Sequence, residues 1–394
     1  MSNIDFAKKM EVDPHRDLSH LENADPMEFP RIYDGIAGWF ARLYMDYTEA
    51  PYQFLYCAAL TCFGSLVSGR LKLVSELKIE PRLYTILLGQ SGMARKSTAL
   101  SFSTEFFQEI FAEFFTIWGV GSAEGLQKNL KCHPNLLLVF DEFKQFVSKA
   151  RIDGSVLLPC VNTLYESTRY HNSTKMNEIR IEDAHLSILV ASTIDTYESV
   201  FDNSFLNIGF PNRLFIVPGD SFPRFSLPAK IPESQKEQLK DYVKQVMNNI
   251  GSGLELDLME DARKHYDTWY LNRENSYHSV RLDGLALRLM MLMAANEGKI
   301  VIDLETTRQA ISVVDWELAM RKQYDPIDAD SQMAKMEEKI LRQLRQGPRT
   351  MRELRQRTNS HRAGASVLLM ALENLKKADE IVRIKKDVWS LQEK

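Results

Sequence analysis

Residues 84–102 read YTILLGQSGMARKSTALSF. An apolar run, TILLG (85–89), ends on Gly89, a short loop carries Gly92, and Lys96-Ser97-Thr98 open a stretch with helical spacing. A nucleoside triphosphate needs this order of strand, glycine loop and helix. Loop N–H groups and the helix N-terminus surround phosphate oxygens, a Lys ammonium reaches the outer phosphates, and a hydroxyl ligates Mg²⁺. Gly89, Gly92, Arg95, Lys96, Ser97 and Thr98 are therefore the candidate contacts, Ser97 among them a metal ligand. The spacing departs from the usual one. Gly89 precedes Lys96 by seven positions, and Arg95 stands where a glycine is usual, which brings a Cβ into a loop that must hug phosphate. The plain alternative is a strand–turn–helix connection with a basic cap.

A second element supports the first. NLLLVFDEF (135–143) is an apolar strand ending in two carboxylates, 45 residues beyond Lys96 as counted to Asp141. Asp141 would hold Mg²⁺ through water, and Glu142 would polarise an attacking water as general base. Further apolar runs lie at FTIWGV (115–120), HLSILVAS (185–192) and RLFIV (213–217), separated by helical segments. Continuous Val/Ile/Leu runs alternating with helices predict an α/β fold whose parallel sheet is covered on both faces.

Outward from this core the chain divides by pattern. Residues 1–26 are polar and aperiodic, a flexible lead-in; 27–80 read as a small helical unit; and 81–227 hold the phosphate-binding core. Strands are expected to stop after Pro228. Segments 233–250, 257–270, 281–297 and 305–322 read as amphipathic helices, giving an all-helical unit at 228–324. A linker at 325–334 precedes a tail, 335–394, with the order helix (335–346), turn at Gly347-Pro348, helix (350–357), helix (363–377) and two short strands (381–384, 387–391). Composition is globular, with 44% hydrophobic and 26% charged residues among 394, and no run is long enough to cross a membrane. A cytoplasmic protein is expected, because the N-terminus lacks a signal peptide's apolar stretch. Four cysteines, Cys57, Cys62, Cys132 and Cys160, have neither the number for a disulfide framework nor the spacing for zinc. The net charge of −4 hides a split: residues 331–394 hold 15 Lys and Arg against 8 Asp and Glu, an excess of +7 on a body of −11. A basic module on an acidic body points to nucleic acid.

With both phosphate elements in view, the chain resembles the AAA+ ATPases, in particular the helicase branch of the minichromosome maintenance proteins. It resembles still more closely the primase-helicase-like P-loop proteins of phages, plasmids and integrative elements. The resemblance covers roughly residues 50–330 and runs from EAPYQFLYCAALTCFGSLVSGR (49–70) through PRLYTILLGQSGMARKST (81–98). It implies an AAA+-type core with a helical lid at 228–324, ATP and Mg²⁺ as ligands, and a homo-oligomeric ring, a hexamer, that acts on single- or double-stranded DNA beside other replication proteins. LYE (164–166) and NSTKMNEIRIEDAHLSILVAST (172–193) look like the helix and β-hairpin before a sensor strand, with Lys175 as the DNA-facing pore residue. Thr193, with Ser192 as fallback, takes the sensor-1 position, where Asn is commoner. GFPNRLFIV (209–217) puts Arg213 at the arginine finger. VRLDGLALRLMMLMAA (280–295) looks like the lid helix, nominating Arg281 as sensor 2 with Arg288 as its neighbour.

The tail has the element order of a winged helix, with 363–377 as recognition helix. Arg352, Arg355, Arg357 and Arg362 cluster before it, and Arg383, Lys385 and Lys386 lie in the wing, where all could touch phosphates. Three functions remain open: a ring helicase or translocase of a mobile element, an ATP-switched initiator or loader that does not unwind DNA, and a non-catalytic scaffold held on DNA by its tail. Intact Lys96-Ser97 and Asp141-Glu142 argue against the last.

Overall fold

A computed structural model describes residues 27–173, 178–200, 209–325, 332–358, 360 and 365–392. The lead-in, Lys175 and Arg362 lie outside these residues. In chain order the elements are α1 (Gly35–Met45), α2 (Tyr52–Val67), β1 (Leu71–Leu73), β2 (Tyr84–Gly89), α3 (Lys96–Ile110), β3 (Thr116–Trp118), α4 (Ala123–Cys132), β4 (Asn135–Phe140), α5 (Phe143–Ala150), α6 (Leu157–Glu166), β5 (Tyr170–Ser173), β6 (Glu178–Ile181), β7 (His185–Thr193), α7 (Ile194–Val200) and β8 (Leu214–Pro218). There follow α8 (Glu233–Ile250), β9 (Leu254–Leu256), α9 (Glu260–Asn272), α10 (Leu282–Asn296), α11 (Leu304–Tyr324), α12 (Gln332–Arg345), β10 (Arg349–Thr350), α13 (Met351–Arg357), α14 (Ala365–Lys377), β11 (Ile381–Lys385) and β12 (Val388–Leu391).

The five apolar runs form one parallel sheet in the order β3-β4-β7-β2-β8. Successive side chains of a strand face opposite ways, so each strand feeds two cores. Leu87, Leu137, Val139, Leu189, Ala191, Phe215 and Val217 face one core; Ile86, Leu88, Leu136, Leu138, Ile188, Val190 and Ile216 face the other. Burying such a side chain fully contributes about 1.5–3 kcal/mol, which is why strands this short persist inside a sheet. Helices α4, α5, α6 and α7 cover the second face.

On the first face one core runs across the expected boundaries between units. Helices α1 and α2 share one continuous core with the sheet and with α8, α10 and α11, so neither 27–80 nor 228–324 has a separate core. Helix α2 is buried from Phe54 to Val67 and packs across the sheet, and the Thr61 and Thr85 hydroxyls meet at 2.7 Å to join it to β2. Strands also continue beyond Pro228: β9 pairs in parallel with β1, Leu71 opposite Leu254. A three-residue strand has no periodicity to read and exists through its remote partner.

The open edge of β8 is closed by side chains. The buried Glu317 carboxylate accepts the Ile216 N–H at 3.0 Å, while Arg321 donates to Glu317 at 3.1 Å and to the carbonyls of Leu214 at 3.1 Å and Val280 at 2.7 Å. Unpaired strand groups thus meet an ion pair instead of another chain. The tail forms a third core around Ile340, Leu354, Leu368 and Leu372, with an antiparallel sheet in the order β10-β12-β11. Asp325, expected in a linker, is buried, and its carboxylate lies 2.7 Å from His278 Nδ1.

Candidate functional site

The ends of β2, β7 and β4 place the site. Gly89 closes β2 directly opposite Thr193 of β7, and Phe140 closes β4 opposite Val190. Strand β7 therefore lies between the phosphate-loop strand and the strand carrying Asp141-Glu142, although in the chain it follows both. The loop still reaches across: Ser97 Oγ donates to Asp141 Oδ1 at 2.5 Å. Lys96 Nζ turns back over the loop and donates to the carbonyls of Gly89 and Gln90, each at 3.0 Å. Burial lowers the pKa of its ammonium from the ordinary lysine value, opposed by the charges of Glu142 and then Asp141. Glu142 is the N-cap residue of α5, and its Oε1 is buried with no hydrogen-bond partner. It also lines a cavity of about 440 Å³ together with Phe140, Lys144 and Gln145.

Loop geometry explains the altered spacing. A Cβ at Gly89 would lie 2.4 Å from Ala94 Cβ and 2.7 Å from the Gly219 carbonyl oxygen, so that position requires glycine. Gly92 is at φ 71° and Arg95 at φ 53°, both left-handed. The chain thus keeps the backbone conformation that a glycine before the lysine would adopt, and Arg95 carries it. The Arg95 Nε and Nη2 both donate to Glu49 Oε2, at 2.9 and 2.5 Å, and Glu49 Oε1 accepts the N–H groups of Arg224 at 2.7 Å and Phe225 at 3.0 Å. The Phe225 and Arg224 amides, with Arg95 after them, hold the Glu49 carboxyl at about 2, well below the usual carboxylate range. Glu49 has no signal in the sequence, because its partners are 46 and 175 positions away.

The donor set suits a triphosphate and a divalent cation. Ser97 and Asp141 are hard oxygen donors in contact, and Mg²⁺ takes few protein ligands, so the lack of any cluster of three His, Cys, Asp or Glu among the described residues is compatible with it. Thr98 lies one position further along the same helical turn, half-buried.

Thr193 stands at the carboxyl end of β7, opposite Gly89. Its Oγ1 donates to Thr196 Oγ1 at 2.8 Å and accepts the Thr196 N–H at 3.1 Å, so it caps α7. Ser192 is buried and donates to the Thr193 carbonyl.

Three expected arginines stand at the opposite edge of the sheet. Arg213 immediately precedes β8, whose Leu214 pairs with Tyr84 at the start of β2. The loop end of β2 is five residues away, on the order of 16 Å. Arg213 Nη1 donates to the Gly209 carbonyl at 2.7 Å; burial, and next the charge of Arg281, lower its pKa. Arg281, at φ 66°, opens α10 and pairs with Glu166. The structure does not bring it to the phosphate loop of its own chain. Arg288 is buried: it donates to the carbonyls of Glu80, Arg82 and Tyr165 at 2.6, 3.1 and 2.9 Å and lies over the Tyr165 ring.

In the tail, Arg352, Arg355 and Arg357 are exposed on α13, and Arg383, Lys385 and Lys386 on β11 and its turn. The exposed face of α14 instead presents Ser366, Leu369, Met370 and Glu373, with cations only at Lys376 and Lys377. Lys339 of α12 pairs with Glu198 of α7, fixing the tail against the core. No helix among the described residues is long and apolar enough to cross a membrane. No family model matches the chain, and no curated protein matches it.

Proposed function

We propose that this chain is an ATP-hydrolysing DNA helicase or translocase that works as an oligomeric ring in the replication of a mobile element. In this reading residues 81–227 are an AAA+-type core, 228–324 its lid and 335–394 a winged helix. One observation carries the proposal: Lys96, Ser97, Asp141 and Glu142 meet at the carboxyl edge of a parallel sheet, with Ser97 touching Asp141 and a Glu142 oxygen buried without a partner. Lys96 would exchange two backbone carbonyls for phosphate oxygens. Mg²⁺ held by Ser97 and, through water, by Asp141 would neutralise charge on the phosphates. Glu142 would accept the proton of an attacking water. Arg213, five strand residues from its own loop, would serve a neighbouring subunit, and Arg281, half-buried like it, lies beside it.

A second reading, an ATP-switched initiator or loader, draws support from α14, whose outer face is of protein-contact type and not cationic. Hydrolysis and strand displacement measured with and without single- and double-stranded DNA separate the two. A translocase hydrolyses faster on DNA and displaces a strand; a loader binds without displacement. A protein ending at Asp330 should lose most of its DNA affinity and flatten its salt dependence, each lost phosphate contact reducing the slope by roughly 0.9. An unchanged slope would make the tail a protein-contact module.

A further inference from the structure

Arg95 precedes Lys96 in a left-handed conformation that a glycine adopts freely and that is uphill for any residue with a Cβ. Left to itself, the loop would relax and carry Lys96 and the first turn of α3 with it. Glu49 prevents this. It lies between α1 and α2, is only 8% exposed, and spends both carboxylate oxygens on two partners: Arg95 on Oε2, and the backbone of Arg224 and Phe225 on Oε1. The Ser221 hydroxyl donates to the Glu49 carbonyl at 2.6 Å, and Arg224 donates to the carbonyls of Met45 and Thr48, each at 2.7 Å. The segment after β8 is thereby bonded to the α1–α2 connection, and its Gly219 carbonyl closes over Gly89.

We propose that Glu49 is the positioning residue of the phosphate loop: by clamping Arg95 it supplies the backbone geometry that glycine would otherwise provide before Lys96. This rests on the reading of the loop as a nucleotide site. Glu49 touches no phosphate; it acts through Arg95. The altered loop and the remote glutamate are then one device, and the guanidinium is a handle for holding the backbone.

The test is titration of the full chain with a fluorescent N-methylanthraniloyl ATP and Mg²⁺, beside steady-state hydrolysis. Glu49→Gln keeps the size of the side chain but removes its charge. It should raise Kd and KM roughly tenfold, the scale of a lost left-handed preference, while kcat at saturation stays within about twofold. Glu49→Ala should behave alike and melt lower than Glu49→Gln, which itself melts below wild type. Adding Arg95→Gly to Glu49→Ala should recover most of the affinity, because glycine needs no clamp, yet leave the melting temperature low, because the bonds to Arg224 and Phe225 stay broken. Wild-type affinity in Glu49→Gln, or no recovery in the double variant, overturns the proposal. Lys96→Ala is the control: if it too binds normally, the nucleotide reading fails, and if it alone loses binding, only the role of Glu49 fails.

Discussion

Two arginines among the described residues open helices with positive φ, and each is paired with a glutamate: Arg95 with Glu49 at one edge of the sheet, Arg281 with Glu166 at the other. The pairs look alike and differ in their surroundings. Glu49 is buried and receives two backbone N–H groups, whereas Glu166 has a side chain 46% exposed and shares its charge between Arg281 and, at 3.7 Å, Arg288. A carboxylate whose oxygens are all committed fixes what it holds; an exposed ion pair is worth little and releases its partner readily. The carboxyl edge of the sheet thus holds a braced loop, and the amino edge a set of anchored arginines, of which Arg213 and Arg281 are half-buried and Arg288 buried.

The comparison breaks most sharply at Arg213. If the amino edge serves a neighbouring subunit, Arg213→Ala should slow turnover by roughly 10³-fold with little loss of ATP binding. Mixing it with Lys96→Ala should restore part of the activity, since one interface then pairs two intact groups. Normal turnover by Arg213→Ala would make that edge purely structural. Next in size is Arg321→Met, which strands the buried Glu317 carboxylate and the carbonyls it bridges; unfolding should cost about 3–5 kcal/mol less in urea titration. Thr193→Ala should lose about 1 kcal/mol, the worth of a helix cap, and keep its hydrolysis rate. A large fall in rate at unchanged stability would return Thr193 to a sensor role. The smallest effect is with pH. The Glu49 carboxyl is lowered to about 2 on folding, so its contribution is present above the ordinary value near 4.5 and fades as pH falls toward 2. The melting difference between wild type and Glu49→Gln should shrink across that window.

Local pattern made the centre of the molecule legible. The five apolar runs are the five strands of the parallel sheet, and the helix expected at 233–250 is observed as Glu233–Ile250, because period and length speak within one segment. Lys96, Ser97, Asp141 and Glu142 were legible for the same reason: one pair opens the helix after a strand that the sequence marks, and the other directly follows a second such strand. What escaped depends on partners far along the chain. Helix α2 is apolar nearly all round, which the sequence records, yet that it crosses the sheet instead of forming its own unit follows only from packing. Arg281 was nominated as sensor 2 by resemblance, and the bonds of Arg288 on the same helix to the Glu80 and Arg82 carbonyls set α10 at the edge away from its own phosphate loop. Thr193 is a local case: it stands opposite Gly89 in register and turns its hydroxyl to Thr196, three residues on, to cap α7.

The proposed function requires the carboxyl edge of the sheet to bind and hydrolyse a nucleoside triphosphate. Equilibrium binding of ATP with Mg²⁺, read beside phosphate release for wild type, Lys96→Ala and Glu142→Gln, tests it most directly. Lys96→Ala should lose both binding and release, while Glu142→Gln should bind as wild type does and lose release by about 10²-fold or more, since only the water-activating group has gone. Wild-type release by both variants would contradict it.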